Sequence, residues 1–421
     1  MFVRYSTIQL IMAEIEVPQY FVCPISLQIM KDPVTAVTGI TYDRESIEQW
    51  LLKSKNCMCP VSMQPLPRSS EFLIPNHTLL RLIHAWCLAN EAKRVDQILT
   101  SVIPLDKTHV QKLVRDLEVP HLYQSVLERM IVLATESERN RMCMVEEGVT
   151  KTMVMLINKS FKEGKTTCLE EVIKILRLLW NTQTMAHSNM QPLIGDFIKS
   201  LTWILKLKVD NNVKLVNKAM PLLKSTIEVY DSNRLGSLNI EFFREMVTVL
   251  RKKKSLSQPA IKSALHVLIE TCPLGRNRTK IVEAGAVKEL IEIELEKPEN
   301  KNITELVFNL LAHLCSCVEG RKQFLLHAAG IAMTSKRILR VSHATDDRAI
   351  HIFALIAKYS GSNEVVREML RVGAVSKLCM VMQADCASYL KEKARDIVRL
   401  HSKVWNSSPC IHVYLLTRDQ R

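Results

Sequence analysis

The sequence predicts a mostly α protein, with a small α+β head at the amino end followed by a long helical repeat array. Glycine is scarce, at 11 of 421 residues, and aromatics reach only 5%; all-β domains need more turn glycines and more aromatic strand residues. Turn chemistry crowds the first ninety residues, whereas amphipathic helical patterns fill the rest. Six glycines, each leading into an apolar helical stripe, recur 41 to 49 residues apart, which is the period of solenoids built from two or three helices per unit. The chain is 47% hydrophobic and 24% charged, so wholesale disorder is excluded. At 421 residues it exceeds what one hydrophobic core serves.

The opening stretch, Met1 to Glu16, has too short an apolar run for a secretory signal and meets Glu14 and Glu16. Residues 1–15 are expected to be a flexible extension, with Met12 an alternative start. No run of 18 apolar residues occurs, so no membrane span is expected. The 12 cysteines then read as reduced thiols of a cytoplasmic or nuclear protein. Residues 1–90 hold seven basic and seven acidic side chains, so the net charge of +14 belongs wholly to residues 91–421. Such a division suggests two functional parts, the second basic enough to favour acidic proteins, anionic lipid or nucleic acid.

The head spans residues 16–90. After Asp32-Pro33, the residues Val34, Val37 and Ile40 around Thr38-Gly39 predict a short hairpin. Asp43 can cap a helix carrying Glu45 in its first turn and Ile47, Trp50 and Leu51 at helical spacing. An irregular loop with three prolines, Asn56 to Pro67, comes next. Asn76 can cap a second helix with Leu79, Leu80, Ile83 and Trp86 on one side. Two loops echo each other, Cys23-Pro24-Ile25-Ser26 and Cys59-Pro60-Val61-Ser62. A cross-braced zinc domain needs eight ligands, usually in Cys-x-x-Cys pairs. No such pair exists in the chain, and Cys23, Cys57, Cys59, His77, His84 and Cys87 are too few and wrongly spaced. No metal and no other cofactor is expected.

These residues resemble a U-box. Val17 to Val34 reads as its start; Gly39 to Arg44, Ile47 to Leu51, Cys59 to Ser62 and Ile74 to Trp86 continue it in order. The resemblance implies the RING fold with its metal sites replaced by hydrogen bonds and ion pairs. Ser26, Asp32, Asp43, Arg44, Ser62 and Asn76 are the candidate polar substitutes. It implies an E3 ubiquitin ligase that docks a ubiquitin-charged E2 enzyme on Ile25, Leu27, Trp50 and Pro60. A competing role for these four is simply to fill the core of a small domain. The implied mechanism is non-covalent: the thioester is held where a substrate lysine attacks it, and no catalytic residue of this chain is required. Many such ligases carry a polar or basic residue one position after the second echo. Here that residue is Met63, which cannot donate a hydrogen bond, so a weak U-box on a non-catalytic scaffold is the alternative. A homo-oligomer through the U-box is compatible with the resemblance.

Residues 91–405 carry the repeat glycines Gly148, Gly195, Gly236, Gly285, Gly330 and Gly373. Each is expected to end one helix and start the next at a steep angle, with Gly195 and Gly236 in the weaker echoes. Second helices fall at Ile261–Thr271, Leu306–Cys317 and Ile350–Lys358, and six to seven units fit. The stretch Glu283 to Leu290 resembles an armadillo repeat. A solenoid offers a long surface rather than a catalytic pocket, so its expected task is to bind the protein to be ubiquitinated. U-box followed by armadillo resembles plant U-box ligases active in stress and immune signalling, and residues 406–421 resemble that group's tail. Three further signals are discounted. Arg251-Lys-Lys-Lys254 reads as a solvated helix end before an import signal. Cys315-Ser-Cys317 reads as mid-helix core. Nucleic acid is disfavoured because aromatic and basic residues do not interleave.

Overall fold

The computed structural model describes residues 17–53, 58–67, 72–89, 105–180, 191–207, 212–274, 276–296, 300–406, 408–409 and 411–412. The expected extension at residues 1–15, and most of the expected tail at 406–421, lie outside the described residues. The chain divides into two compact units, Met1–His109 with Val132–Cys143, and Val110–Ile131 with Met144–Arg421.

In the first unit a short 3-10 turn, Gln19–Phe21, leads to β1 (Pro33–Thr35) and β2 (Thr41–Asp43), then α1 (Arg44–Lys53), β3 (Ile74–Pro75) and α2 (His77–Ala89). The sheet order is β2-β1-β3, all antiparallel, with Val34 opposite Tyr42 on one side and Pro75 on the other. The expected hairpin is present, turning at Gly39, whose φ of 78° suits glycine. The third strand gave no signal in the sequence: it is two residues long and contains a proline, tolerable at a sheet edge. Phe21, Val34, Tyr42, Ile47 and Ile83 form the core, with Trp86 packing edge-on against Phe21. Asn76 caps α2 as expected, its Oδ1 accepting from Leu79 N at 3.0 Å.

In the second unit the helices stack as a ladder. Preceded along the chain by α3 (Lys107–Asp116), α4 (Tyr123–Glu136) and α5 (Glu138–Glu146), its steps begin with α6 (Val149–Glu163) and α7 (Leu169–Leu179). Next come α8 (Gln191–Lys206) and α9 (Asn212–Val229), then α10 (Ser232–Leu235), α11 (Ile240–Arg251) and α12 (Gln258–Thr271). They continue with α13 (Asn277–Glu283), α14 (Ala286–Glu296) and α15 (Lys301–Cys315), then α16 (Val318–Leu326), α17 (Gly330–Arg337) and α18 (His343–Ser360). The last are α19 (Asn363–Arg371), α20 (Ala374–Gln383) and α21 (Ser388–Leu400), with α22 (Ser402–Trp405) at the end. One layer is the succession α6, α8, α11, α14, α17, α20; the other is α7, α9, α12, α15, α18, α21, each member packing on the next. Apolar residues every third or fourth position fill the space between layers, from Ile157 and Leu176 to Val375 and Ile397.

The repeat glycines act differently from one another. Gly148, Gly285 and Gly373 hold φ of 77°, 86° and 76° between a short helix and its successor, as expected. Gly195 is no hinge; it lies inside α8. Gly236 has φ −61° and comes after α10 without a left-handed turn. The sequence pattern does not single out Gly320, where an added Cβ would stand 1.9 Å from the Leu314 carbonyl oxygen. Cys315 ends α15 and is buried, but Cys317 precedes α16 rather than lying mid-helix. The run Arg251–Lys254 is not a merely solvated end. Arg251 Nε lies 3.0 Å from Glu289, and buried Lys253 lies 3.5 Å from Glu296, so α14 of the next step holds it. Beyond α21, Trp405 is fully buried and donates to Val366 O at 3.0 Å, closing the end of the ladder.

Gly320→Ala is expected to lower unfolding stability by ~3 kcal/mol or more, because backbone must move to admit the methyl group. Gly373→Ala, in open space but at positive φ, should cost only ~1–2 kcal/mol. Denaturant melts of the two variants check the order, and equal costs would contradict the packing described.

Candidate functional site

The site is built on the twin loops, which share one backbone design. In the first, Cys23 N donates to Gln28 O at 2.8 Å and Leu27 N to Cys23 O at 2.9 Å. In the second, Cys59 N donates to Gln64 O at 2.8 Å and Met63 N to Cys59 O at 3.0 Å. A β-bridge closes each loop at its base, Val22 with Ile29 and Met58 with Pro65. Four residues past each cysteine the chain enters the left-handed region, at Leu27 with φ 55° and Met63 with φ 56°. Neither is glycine, so each costs of order 1–2 kcal/mol of backbone strain. Both side chains nevertheless stand in solvent, Leu27 74% and Met63 66% exposed.

β2 holds the two loops together through consecutive residues. The Tyr42 hydroxyl lies 2.9 Å from Cys59 Sγ, at the base of the second loop. The Asp43 amide donates to Cys23 Sγ at 3.3 Å, at the base of the first. The Asp43 carboxylate does not cap α1: its Oδ1 accepts from the amides of Lys31 at 2.7 Å and Asp32 at 2.9 Å. Arg44, first in α1, donates from Nε to Asp32 Oδ2 at 2.6 Å and from its amide to Asp32 O at 2.9 Å. Asn76 ties the sheet to α2, donating to Thr35 Oγ1 at 3.3 Å while its amide donates to Pro33 O. Asp32, Asp43, Arg44 and Asn76 therefore carry polar cross-links.

Ser26 and Ser62 stand apart from that network. Ser26 is exposed and its hydroxyl makes no hydrogen bond among the described residues. Among the described residues the buried Ser62 hydroxyl has no hydrogen-bond partner, while its amide donates to Cys59 Sγ at 3.3 Å. What the sequence reading missed is that both cysteines are acceptors. Counting them only as zinc ligands hid this, although their echoed Cys-Pro context marked them as equivalent.

Around Cys59 the environment favours thiolate. Burial opposes ionisation, but the Ser62, Tyr42 and Thr38 donors outweigh it and lower its pKa to about 6. Tyr42 moves the opposite way, raised by burial and by the sulfur beside it.

The expected contact residues differ in exposure. Ile25 is half-buried against the core, Pro60 is half-buried, and Leu27 is exposed. Trp50 is 40% exposed, and its indole N–H donates to Met58 O at 3.0 Å, fastening α1 to the base of the second loop. Ile47 and Leu51 face inward from the same helix. Val61 and Met63, outside the expected set, add exposed apolar surface on the second loop.

Cys59 makes stability depend on pH. Its folded pKa lies below the ordinary thiol value, so the thiolate contributes fully above ~8.5 and its contribution is lost as pH falls through about 6. Thermal melts of the wild type should lose stability across that window relative to Cys59→Ser. Tyr42→Phe should move the thiolate absorbance midpoint upward, and an unmoved midpoint would remove Tyr42 from the account.

The comparisons with known proteins bear on both units. A family model for the U-box domain matches residues 17–92, and one for the plant U-box protein ARM repeat region matches residues 109–421. The chain is 38% identical to E3 ubiquitin-protein ligase PUB23 of Arabidopsis thaliana, across 94% of this chain and 96% of that protein. It is 38% identical to PUB24 of the same plant, across 96% of each, and 35% identical to PUB22, across 94% of this chain and 97% of that one. Twin cross-linked loops at the amino end and a laddered repeat region after them are thus the parts these two family models cover, and the chain belongs to the plant U-box family of E3 ubiquitin ligases with armadillo repeats.

Proposed function

We propose that the U-box docks its ubiquitin-charged E2 through Ile25, Leu27, Trp50 and Pro60, with Val61 and Met63 extending the same surface. The observation that carries this reading is the pair of strained, exposed apolar tips at Leu27 and Met63. The fold gains nothing from leaving large apolar groups in water at positive φ, whereas a partner's groove would. Trp50, pinned to the second loop, supplies an anchor of the kind that dominates small interfaces. The armadillo ladder then presents a protein substrate. Its lysine attacks the thioester carbonyl, an isopeptide bond forms, and the E2 sulfur leaves, with this chain acting by proximity.

We place this activity in the cytoplasm or nucleus and in plant stress and defence signalling. Support for that setting is the chain's similarity to plant U-box ligases. Residues 1–15, 16–90, 91–405 and 406–421 are the functional divisions we propose, and a second copy joined through the U-box is compatible with the exposed apolar surface.

Leu27→Asn separates docking from folding, since asparagine tolerates the left-handed backbone but removes the apolar tip. Autoubiquitination with E1, E2 and ATP should fall by roughly tenfold or more while the melting temperature holds or rises. Wild-type activity should also persist with a zinc-selective chelator, Mg2+ being kept in excess for the ATP-dependent E1 step. Full activity in Leu27→Asn would remove Leu27 from the docking surface.

A second reading, a weak U-box on a scaffold, is favoured by Met63 alone, whose thioether cannot donate where many such ligases have a donor. Met63→Arg should then raise single-turnover discharge of the E2 thioester by several-fold, worth ~1 kcal/mol in the transition state. An unchanged rate would leave the scaffold reading without support.

A further inference from the structure

The repeat ladder carries a cleft of about 600 Å³ between α8, the end of α6 and the α10–α11 segment. Its volume is within the range that encloses small organic ligands. Aromatic walls face it: Phe161 and Trp203, tilted with ring centroids 5.8 Å apart, and Phe242 at the start of α11. Tyr230 closes one side, and its hydroxyl depends on the glycine in α8. A Cβ at Gly195 would lie 2.9 Å from that oxygen, so a larger residue would displace the phenol.

Charge gives the cleft a sign. Lys199 is 3.0 Å from Asp196, and Lys206 faces Glu241 and Glu245 at 3.6 and 3.8 Å, so the lining acids are answered. Arg234 is different. It lines the cleft as an exposed side chain, and its guanidinium makes no ion pair or hydrogen bond among the described residues. The Tyr230 hydroxyl makes none there either. An exposed, uncommitted guanidinium and an uncommitted hydroxyl therefore line the same cleft as the aromatic side chains. A carboxylate matches the guanidinium fork, and a flat apolar body matches the rings.

We propose that this cleft is a binding site for a small aromatic carboxylic acid, with Arg234 and Tyr230 holding the carboxylate and Phe161, Trp203 and Phe242 the ring system. It lies between members of the α6, α8 and α11 layer, with Tyr230 just past the end of α9 and Arg234 in α10 on its rim.

The test uses the full chain with 2-naphthoate and its uncharged counterpart 2-naphthamide, titrated by calorimetry and by quenching of tryptophan fluorescence. Naphthoate should bind saturably with one site per chain, and naphthamide about tenfold more weakly, the difference expected for a charge-assisted hydrogen bond. Arg234→Gln should erase that preference while circular dichroism and the melting temperature stay as in the wild type. Trp203→Leu should weaken both compounds together. Equal binding of the two compounds, a preference that survives in Arg234→Gln, or no saturable binding of naphthoate would each overturn the proposal.

Discussion

Two consecutive residues on one short strand hold the U-box in its working shape. Tyr42 reaches the sulfur of Cys59 and the Asp43 amide reaches that of Cys23, so the bases of both loops are fastened to the end of β2. Side chains alternate along a strand, which is why one of these links uses a side chain and the other the backbone. The Asp43 carboxylate is then free to gather the Lys31 and Asp32 amides, and Arg44 closes on Asp32. A metal ion would hold such loops by a few strong bonds. Here the same task is spread over several hydrogen bonds, each worth ~1 kcal/mol net between neutral groups and about 1.5–3 kcal/mol where a charged group takes part. No single one is decisive, but they act together, because the two buried sulfurs have little water to turn to.

That arrangement explains where the strain sits. Both loops must reverse direction within six residues while their cysteines stay pinned, and the left-handed residue four positions past each cysteine supplies the reversal. Glycine or asparagine would do so at lower cost. Leucine and methionine are there instead, and both point outward. Folding energetics oppose that choice at both positions, so a demand from outside the fold is the physical reading. Trp50 obeys the same logic: the indole nitrogen is satisfied within the domain while part of the ring is left exposed.

Much of this was legible in the sequence. The hairpin at Thr38-Gly39, the Asn76 cap and the helical stripe of Ile47 and Leu51 are local, and local chemistry determines them. The solenoid period could be read because Gly148, Gly285 and Gly373 each need a left-handed backbone. What failed to show was non-local. Asp43 has the right residue type and position for a cap, but its partners lie eleven and twelve residues upstream, and no pattern around Asp43 reveals them. β3 is too short and too proline-bound to announce itself; only its pairing with β1 makes it a strand. Gly195 imitated a repeat hinge because a glycine before an apolar stripe looks the same whether it admits a turn or a neighbouring phenol.

The same limit applies to charge. The excess of +14 lies beyond the head, and its densest run, Arg251 to Lys254, invites a search for a polyanion. Across the step, α14 presents Glu289 and Glu296, and Arg251, Lys253 and Lys254 all find partners there. Lys253 is buried in the process, so withdrawing its partner would leave a cation with few contacts, a cost of several kcal/mol. Arg337 and the fully buried Glu294 repeat the pattern one step further on. Charge that joins neighbouring repeats is part of the ladder's packing and is not available to an outside polyanion without breaking it. The cations that remain for recognition are those without such partners among the described residues, and Arg234, exposed on the rim of the cleft beside α8, is one of them.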